Sequence, residues 1–397
     1  MTTTPMSARR TALIGGLLVA AGPLSISLYG PALPTIVSEL GTTDALGKLS
    51  LAVYFAAFAL AQLVCGPLSD SWGRRKVTAL FLVLYVLGSL VAAFGGSIEL
   101  LLAGRVLQGI GVSVGVALSR AMVRDQFTGT ESIRILTLIN LILTVAPAIA
   151  PTLGSIILLF GNWHLLFLVM GAYGLGLIAL VQWGARETHP VAARVPFRVR
   201  SVVANYATLL RAPAFMAPAL VLALSFGGFY GFAALLPFVL IDEIGLSTFG
   251  FAMVMLMQTG AFITGNVLAG YAASRLSGAR MVQVGLVLIG LAGIGFALGL
   301  RLYPGAVLAV MGPVALWMLA LAFIGPSTTS AAMAGFGSMA VFQVGGGFVG
   351  ATLASLAFAT ASAALTTLMP IMAGLTIAVA LLRRIAIRAR SAAPPPT

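Results

Sequence analysis

Few residues in this chain are equipped for chemistry, and the most telling lie inside apolar sequence. Arg105 and Gln108, in Gly104-Arg105-Val106-Leu107-Gln108-Gly109-Ile110-Gly111, interrupt an otherwise hydrophobic run. A guanidinium at the centre of a membrane helix costs roughly 2.5–3.5 kcal/mol on insertion scales, so it is expected to face other helices and to work there. The alternative is an arginine that snorkels outward, toward Glu99.

The second group is a loop, Gly66-Pro67-Leu68-Ser69-Asp70-Ser71-Trp72-Gly73-Arg74-Arg75-Lys76-Val77. Gly73 permits a tight turn between antiparallel helices. Arg74, Arg75 and Lys76 hold the loop on one side of a bilayer. Asp70, at a helix end, can pair with an arginine or accept hydrogen bonds from a helix N-terminus. A third group, Ala146-Pro147-Ala148-Ile149-Ala150-Pro151-Thr152-Leu153-Gly154, combines Pro147, Pro151 and Gly154. Paired prolines and small residues bend a helix and let a neighbour approach closely, and a plain packing kink would use the same residues.

Other patterns carry no chemistry. Gly111-Val112-Ser113-Val114-Gly115 has the spacing of a hydrolase elbow, but that elbow needs a strand-to-helix turn. A membrane serine hydrolase would also need a histidine at depth, whereas His164 is near an outer boundary and His189 falls in a cytoplasmic loop. Gly346 to Gly350 reads as a packing face rather than a phosphate loop. Cys65 lies alone in an apolar run, and no spacing suggests a metal or other cofactor.

The elements that must position these residues follow from composition. Hydrophobic residues make up 60% of the chain and charged ones 8%, against roughly 45–50% and about 25% in soluble domains. Lipid must therefore be the solvent for most of the surface. Runs long enough to span, about 20 residues each, are predicted at 11–33, 46–69, 77–95, 100–121, 132–158, 164–184, 214–240, 250–274, 280–299, 304–325, 336–358 and 362–382. The fold class is thus all-α, with twelve transmembrane helices.

The net charge of +13 does not indicate nucleic acid, because the basic residues punctuate every second boundary. With the N-terminus cytoplasmic, inside segments hold Arg9, Arg10, Arg74, Arg75, Lys76, Arg120, Arg124, Arg134, Arg275, Arg280 and the basic tail. Outside segments hold only Lys48 and Arg301, with Glu39, Asp44, Glu99, Asp242 and Glu243. Both termini are predicted to be cytoplasmic. The polar stretch 185–213, rich in arginine, divides residues 1–184 from 214–382; a tail, 383–397, follows and should be unstructured after Arg390. Six spans on either side suggest two bundles flanking a cavity.

The loop 66–77 resembles the signature loop of the major facilitator superfamily, and the run around Arg105 resembles its fourth-span motif. Together with the Pro147–Gly154 motif, Tyr29-Gly30-Pro31-Ala32-Leu33-Pro34 and Ser119-Arg120-Ala121-Met122-Val123-Arg124-Asp125, the chain is similar to the bicyclomycin/chloramphenicol-resistance branch of drug:proton antiporters. The likeness is strong in the first half and rests on layout in the second. It implies export of small amphipathic molecules, with protons as a second partner, by a monomer in the bacterial inner membrane without a cofactor. It also implies that Gly66, Asp70, Gly73, Arg74 and Arg75 form a latch, Asp70 leaning on the start of the eleventh span near Gly335 to Gly337. Ser27, Tyr29, Tyr54, Phe58, Arg105 and Gln108 become candidate cavity residues. Asn140, Phe226, Tyr230 and Gln258 join them on type alone, with ordinary helix contact an equal alternative.

One departure matters. The branch carries an aspartate in the first span, two residues before the tyrosine; here that position is Ser27. Arg105 is then expected to stay charged, held by first-span carbonyls near Gly22-Pro23 and Gly30-Pro31 with help from Gln108. A cavity with this charge suits neutral, zwitterionic or anionic solutes better than cations. The rival reading is a carrier of the same fold that is not coupled to protons, or one dedicated to a particular metabolite.

Overall fold

The computed structural model describes residues 6–333, 339–356 and 358–392. These are helical almost throughout: α1 (Ala8–Ser27), α2 (Leu33–Glu39), α3 (Asp44–Trp72), α4 (Arg74–Phe94), α5 (Ile98–Gln126), α6 (Gly129–Leu158), α7 (Trp163–Ala179), α8 (Val199–Leu210), α9 (Pro213–Pro237), α10 (Thr248–Ala273), α11 (Gly278–Leu302), α12 (Val307–Met333), α13 (Met339–Ala354) and α14 (Ala361–Ala392). Among the described residues, ten helical stretches are long and apolar enough to cross a bilayer. The remaining two predicted runs correspond to α6 and α13, which contain the shorter apolar stretches Ile149–Leu158 and Val344–Ala354.

Three differences from the sequence expectation have local causes. The first run is not one helix. α1 ends at Ser27, a single 3-10 turn follows at Gly30–Ala32, and α2 resumes at Leu33. Pro31 has no N–H to continue the ladder and its ring would crowd the carbonyl four residues back, so the helix stops before it. The polar connector 185–213 contains α8, where Val199, Val203 and Leu210 alternate with polar residues at helical spacing. α14 runs ten residues past the predicted membrane end at 382, to Ala392; the residues after it lie outside those described.

The chain divides into two compact units. The first comprises Met1–Ala204, Leu236–Thr259 and Ser355–Ala357; the second comprises Asn205–Leu235, Gly260–Ala354 and Phe358–Thr397. Within the first unit α5 is the central helix, and glycines let its neighbours in. A side chain at Gly104 would strike Gly88 and Ala92 of α4, one at Gly109 the Tyr54 carbonyl of α3, and one at Gly111 the backbone of Phe81 and Tyr85. One at Gly115 would strike Leu18 of α1. The Gly111–Gly115 pattern is therefore a packing face, with Ser113 donating to the Ile110 carbonyl at 2.7 Å.

The second unit uses the same device. Gly346 and Gly350 of α13 lie against the carbonyls of Ala223 and Gly227 in α9. An aromatic ladder fills its interior: Phe232 stands 5.9 Å from Phe296 and 6.2 Å from Trp317, whose indole donates to Ser225 O at 3.0 Å.

Candidate functional site

Arg105 is fully buried in the first unit. Its guanidinium lies over two tyrosine rings, with Cζ 4.4 Å from the Tyr29 centroid and 4.3 Å from that of Tyr54. Rings at this distance stabilise the cation through their quadrupoles, a term worth about 2 kcal/mol or more when desolvated. Nη1 donates to the Ser25 carbonyl at 2.9 Å and to Gln108 Oε1 at 2.7 Å. Nε and Nη2 are buried and make no hydrogen bond among the described residues.

The break in the first run makes this arrangement. α1 closes with Leu28 N–H on Leu24 O, which leaves the Ser25 carbonyl in the last turn without a helical donor. The carbonyl that meets Arg105 is therefore that of Ser25, rather than one at Gly22-Pro23 or Gly30-Pro31. The Gly22 carbonyl accepts from Tyr54 Oη at 3.0 Å instead. Ser27, where an aspartate was expected to matter, is half-buried and makes no hydrogen bond to Arg105.

Hydroxyls lock the surrounding shell. Ser25 Oγ donates to Ala21 O at 2.6 Å, so Tyr85, at 2.7 Å, must be the donor to Ser25. Ser50 donates to Gly47 O, so the Tyr29 hydroxyl donates to Ser50 Oγ at 2.6 Å. Gln108 Nε2 donates to Ser89 Oγ at 2.7 Å, which fixes its amide with the oxygen toward Arg105. Phe58 stands edge-on to Tyr54 at 6.1 Å. Gly154 of α6 admits the chain at the break itself, since a Cβ there would strike the Leu28 carbonyl. Sequence reasoning missed Ser25, Ser50, Tyr85 and Ser89, which are single hydroxyls in apolar helices, a residue type that hydrogen-bonds across helices but forms no motif here.

A second cluster forms at the α3–α4 loop. Arg74 Nη1 pairs with Asp70 Oδ1 at 2.5 Å and its Nε with Asp125 Oδ2 at 3.1 Å. Thr188 Oγ1 also donates to Asp125, at 3.1 Å. Gly73 has φ +96°, a conformation that favours glycine. Beyond it, the start of α4 is capped from the connector: Glu187 accepts from the N–H of Arg74 at 2.9 Å and of Arg75 at 3.3 Å. Arg75 also donates to the carbonyl and side-chain oxygen of Gln182. Val195 N–H donates to Asp70 O at 3.3 Å and Ser71 Oγ to Val195 O at 2.6 Å. Nothing in the structure requires glycine at Gly66, where a Cβ would meet open space.

The remaining candidates lie on other helices. Phe226 and Tyr230 belong to the aromatic group of the second unit, with centroids 6.3 Å apart. Gln258 is buried with Oε1 lacking a hydrogen bond among the described residues. The side chains of Asn140 and Pro147, and the whole of Gly335 to Gly337, lie outside the described residues; Pro151 sits within α6, its carbonyl accepting from Ser155 at 3.0 Å. No group of three metal-ligating side chains occurs among the described residues.

A profile of the Major Facilitator Superfamily matches residues 13–381. The chain belongs to this superfamily. Membership makes it a multi-pass membrane transporter and not an enzyme. Within the Major Facilitator Superfamily, it is 36% identical over 261 residues to the uncharacterized MFS-type transporter YdgK of Bacillus subtilis, spanning 65% of each chain. It is 26% identical over 315 residues to the bicyclomycin resistance protein homolog of Haemophilus influenzae, covering 79% of this chain and 77% of that one. It is 29% identical over 247 residues to the multidrug resistance protein MdtL of Escherichia coli, covering 62% of each. The bicyclomycin- and multidrug-resistance relatives agree with the branch that the chain's motifs together resemble. A solved structure, the human organic anion transporter MFSD10 (TETRAN), superposes with TM-score 0.66 at 20% identity, covering 95% of this chain and all of that one; it shows the fold alone.

Proposed function

We propose that this protein exports small amphipathic compounds across the bacterial inner membrane by alternating access of two six-helix bundles, residues 1–184 and 214–382. α6 and α13 supply the two spans beyond the ten, and both termini are cytoplasmic. The carrying observation is the cationic centre: a fully buried arginine clamped by Tyr29 and Tyr54 and tied to a helix break. Helix breaks at membrane depth are where carriers of this kind hold solute. The relatives named for bicyclomycin and multidrug resistance support export of drug-like molecules.

Likeness to the antiporter branch supports proton exchange. A specific observation favours the second reading, a carrier that is not driven by protons. Arg105 has no carboxylate partner, and a guanidinium does not deprotonate in proteins. Proteoliposomes loaded with chloramphenicol (neutral), ethidium (cationic) or 2-naphthoate (anionic), with and without a pH gradient, test both readings. Export of neither chloramphenicol nor 2-naphthoate would end the first. Strict dependence on the gradient would end the second.

A further inference from the structure

The hydrogen bonds of Arg105 are distributed unevenly around its guanidinium. Nη1 is occupied twice, by the Ser25 carbonyl and by Gln108. Nε and Nη2 are the unpartnered donors, on a side chain with no exposed surface. The Tyr29 hydroxyl donates to Ser50, and its oxygen also lies within electrostatic reach of the guanidinium. These two nitrogens share one edge of the planar group, and their N–H bonds point the same way. That edge matches the two oxygens of a carboxylate, the geometry that makes arginine the preferred bidentate carboxylate binder.

We propose that the Nε–Nη2 edge of Arg105 is the seat for the carboxylate of an aromatic organic acid, so that the exported solutes include such acids. This rests on the export reading above. With two aromatic rings within 4.4 Å of Cζ, the unpartnered edge is the part of the guanidinium that has hydrogen-bond donors left to offer. The chain itself supplies no anion for the edge: its nine carboxylates are Glu39, Asp44, Asp70, Glu99, Asp125, Glu131, Glu187, Asp242 and Glu243, and none pairs with Arg105. An aromatic body then suits the surroundings, where Tyr29 packs against Phe167 at 5.6 Å and Tyr54 against Phe58 at 6.1 Å. Tyr29 lies in the break between α1 and α2, where its carbonyl accepts the single 3-10 bond from Ala32 N–H.

Calorimetric titration of the purified full-length protein with 2-naphthoate and with its neutral isostere 2-naphthamide tests this directly. The acid should bind about tenfold or more tightly, because the amide offers one acceptor where the fork has two charge-assisted donors. Arg105→Lys keeps the charge but loses the fork, so it should erase most of the preference for the acid over the amide. Equal affinity of the wild-type protein for the two compounds, or absence of binding by both, overturns the proposal without recourse to any variant. A folded Arg105→Lys protein that keeps the preference also overturns it. Chloramphenicol export by proteoliposomes separates this from the reading beneath: export without naphthoate binding removes only the carboxylate seat, whereas naphthoate binding without export of any tested solute removes the export reading.

Discussion

The carboxylate of Glu187 accepts hydrogen bonds from the first backbone N–H groups of α4, those of Arg74 and Arg75, at 2.9 and 3.3 Å. The connector after α7 thereby closes over the α3–α4 loop. A carboxylate at a helix N-terminus satisfies orphan donors and complements the helix dipole together. Gly73 makes room for it: a Cβ there would lie 2.5 Å from Glu187 Oε2 and 2.6 Å from Arg194 Nη2. The signature loop and the connector thus form one folded unit.

Glu187→Ala should destabilise the first unit by about 1 kcal/mol, the usual cost of losing a helix cap. Cys65 is the chain's one cysteine and is fully buried, so thermal exposure to a fluorescent maleimide reports its unfolding. Gly73→Ala should cost more, about 1–2 kcal/mol from the backbone alone, plus the displacement of Glu187. The two should be non-additive, the glycine substitution costing less when Glu187 is already alanine. Additive shifts in midpoint would show that Gly73 and Glu187 act separately.

A latch at Asp70 requires that Asp70→Asn slow export while leaving membrane insertion and yield intact, the neighbouring cations being the residues that set topology. Wild-type rates in the folded variant would remove Asp70 from the mechanism. Changing Arg74, Arg75 and Lys76 together to glutamate should disturb folding too, since Arg74 bridges Asp70 and Asp125. Normal yield and topology would show that the other inside charges suffice.

The membrane class and the pairing of arginine with Gln108 were legible because each follows from residue type and short spacing. Arg105 is alone among apolar neighbours, and Gln108 lies one helical turn away. The capping role of Glu187 was not legible, because 113 residues separate it from Arg74 and a carboxylate in a polar stretch looks solvated. Pro31 announced a break in the first run, yet the identity of the freed carbonyl, Ser25, depended on where α1 stopped. The hydroxyl shell of Ser25, Ser50 and Ser89 passed unnoticed, since isolated serines in apolar helices give no period to read.

Ser27→Asp should introduce a titratable group at the end of α1, on the turn that holds the Ser25 carbonyl against Arg105. Export should then acquire a dependence on the pH gradient, and acceptance should widen toward ethidium as the positive field is partly neutralised. Unchanged gradient dependence and solute range would place residue 27 outside the field of the guanidinium.

The central claim is a guanidinium that stays charged throughout the cycle. Initial export rates from wild-type proteoliposomes, measured with an imposed pH gradient and with the gradient collapsed by nigericin in potassium-balanced buffer, test it most directly. The account predicts rates for chloramphenicol and 2-naphthoate that differ by less than about twofold between the two conditions, and loss of export in Arg105→Ala, as expected for a group that cannot release its proton. Export of ethidium in strict exchange for protons, abolished when the gradient is collapsed, would contradict it.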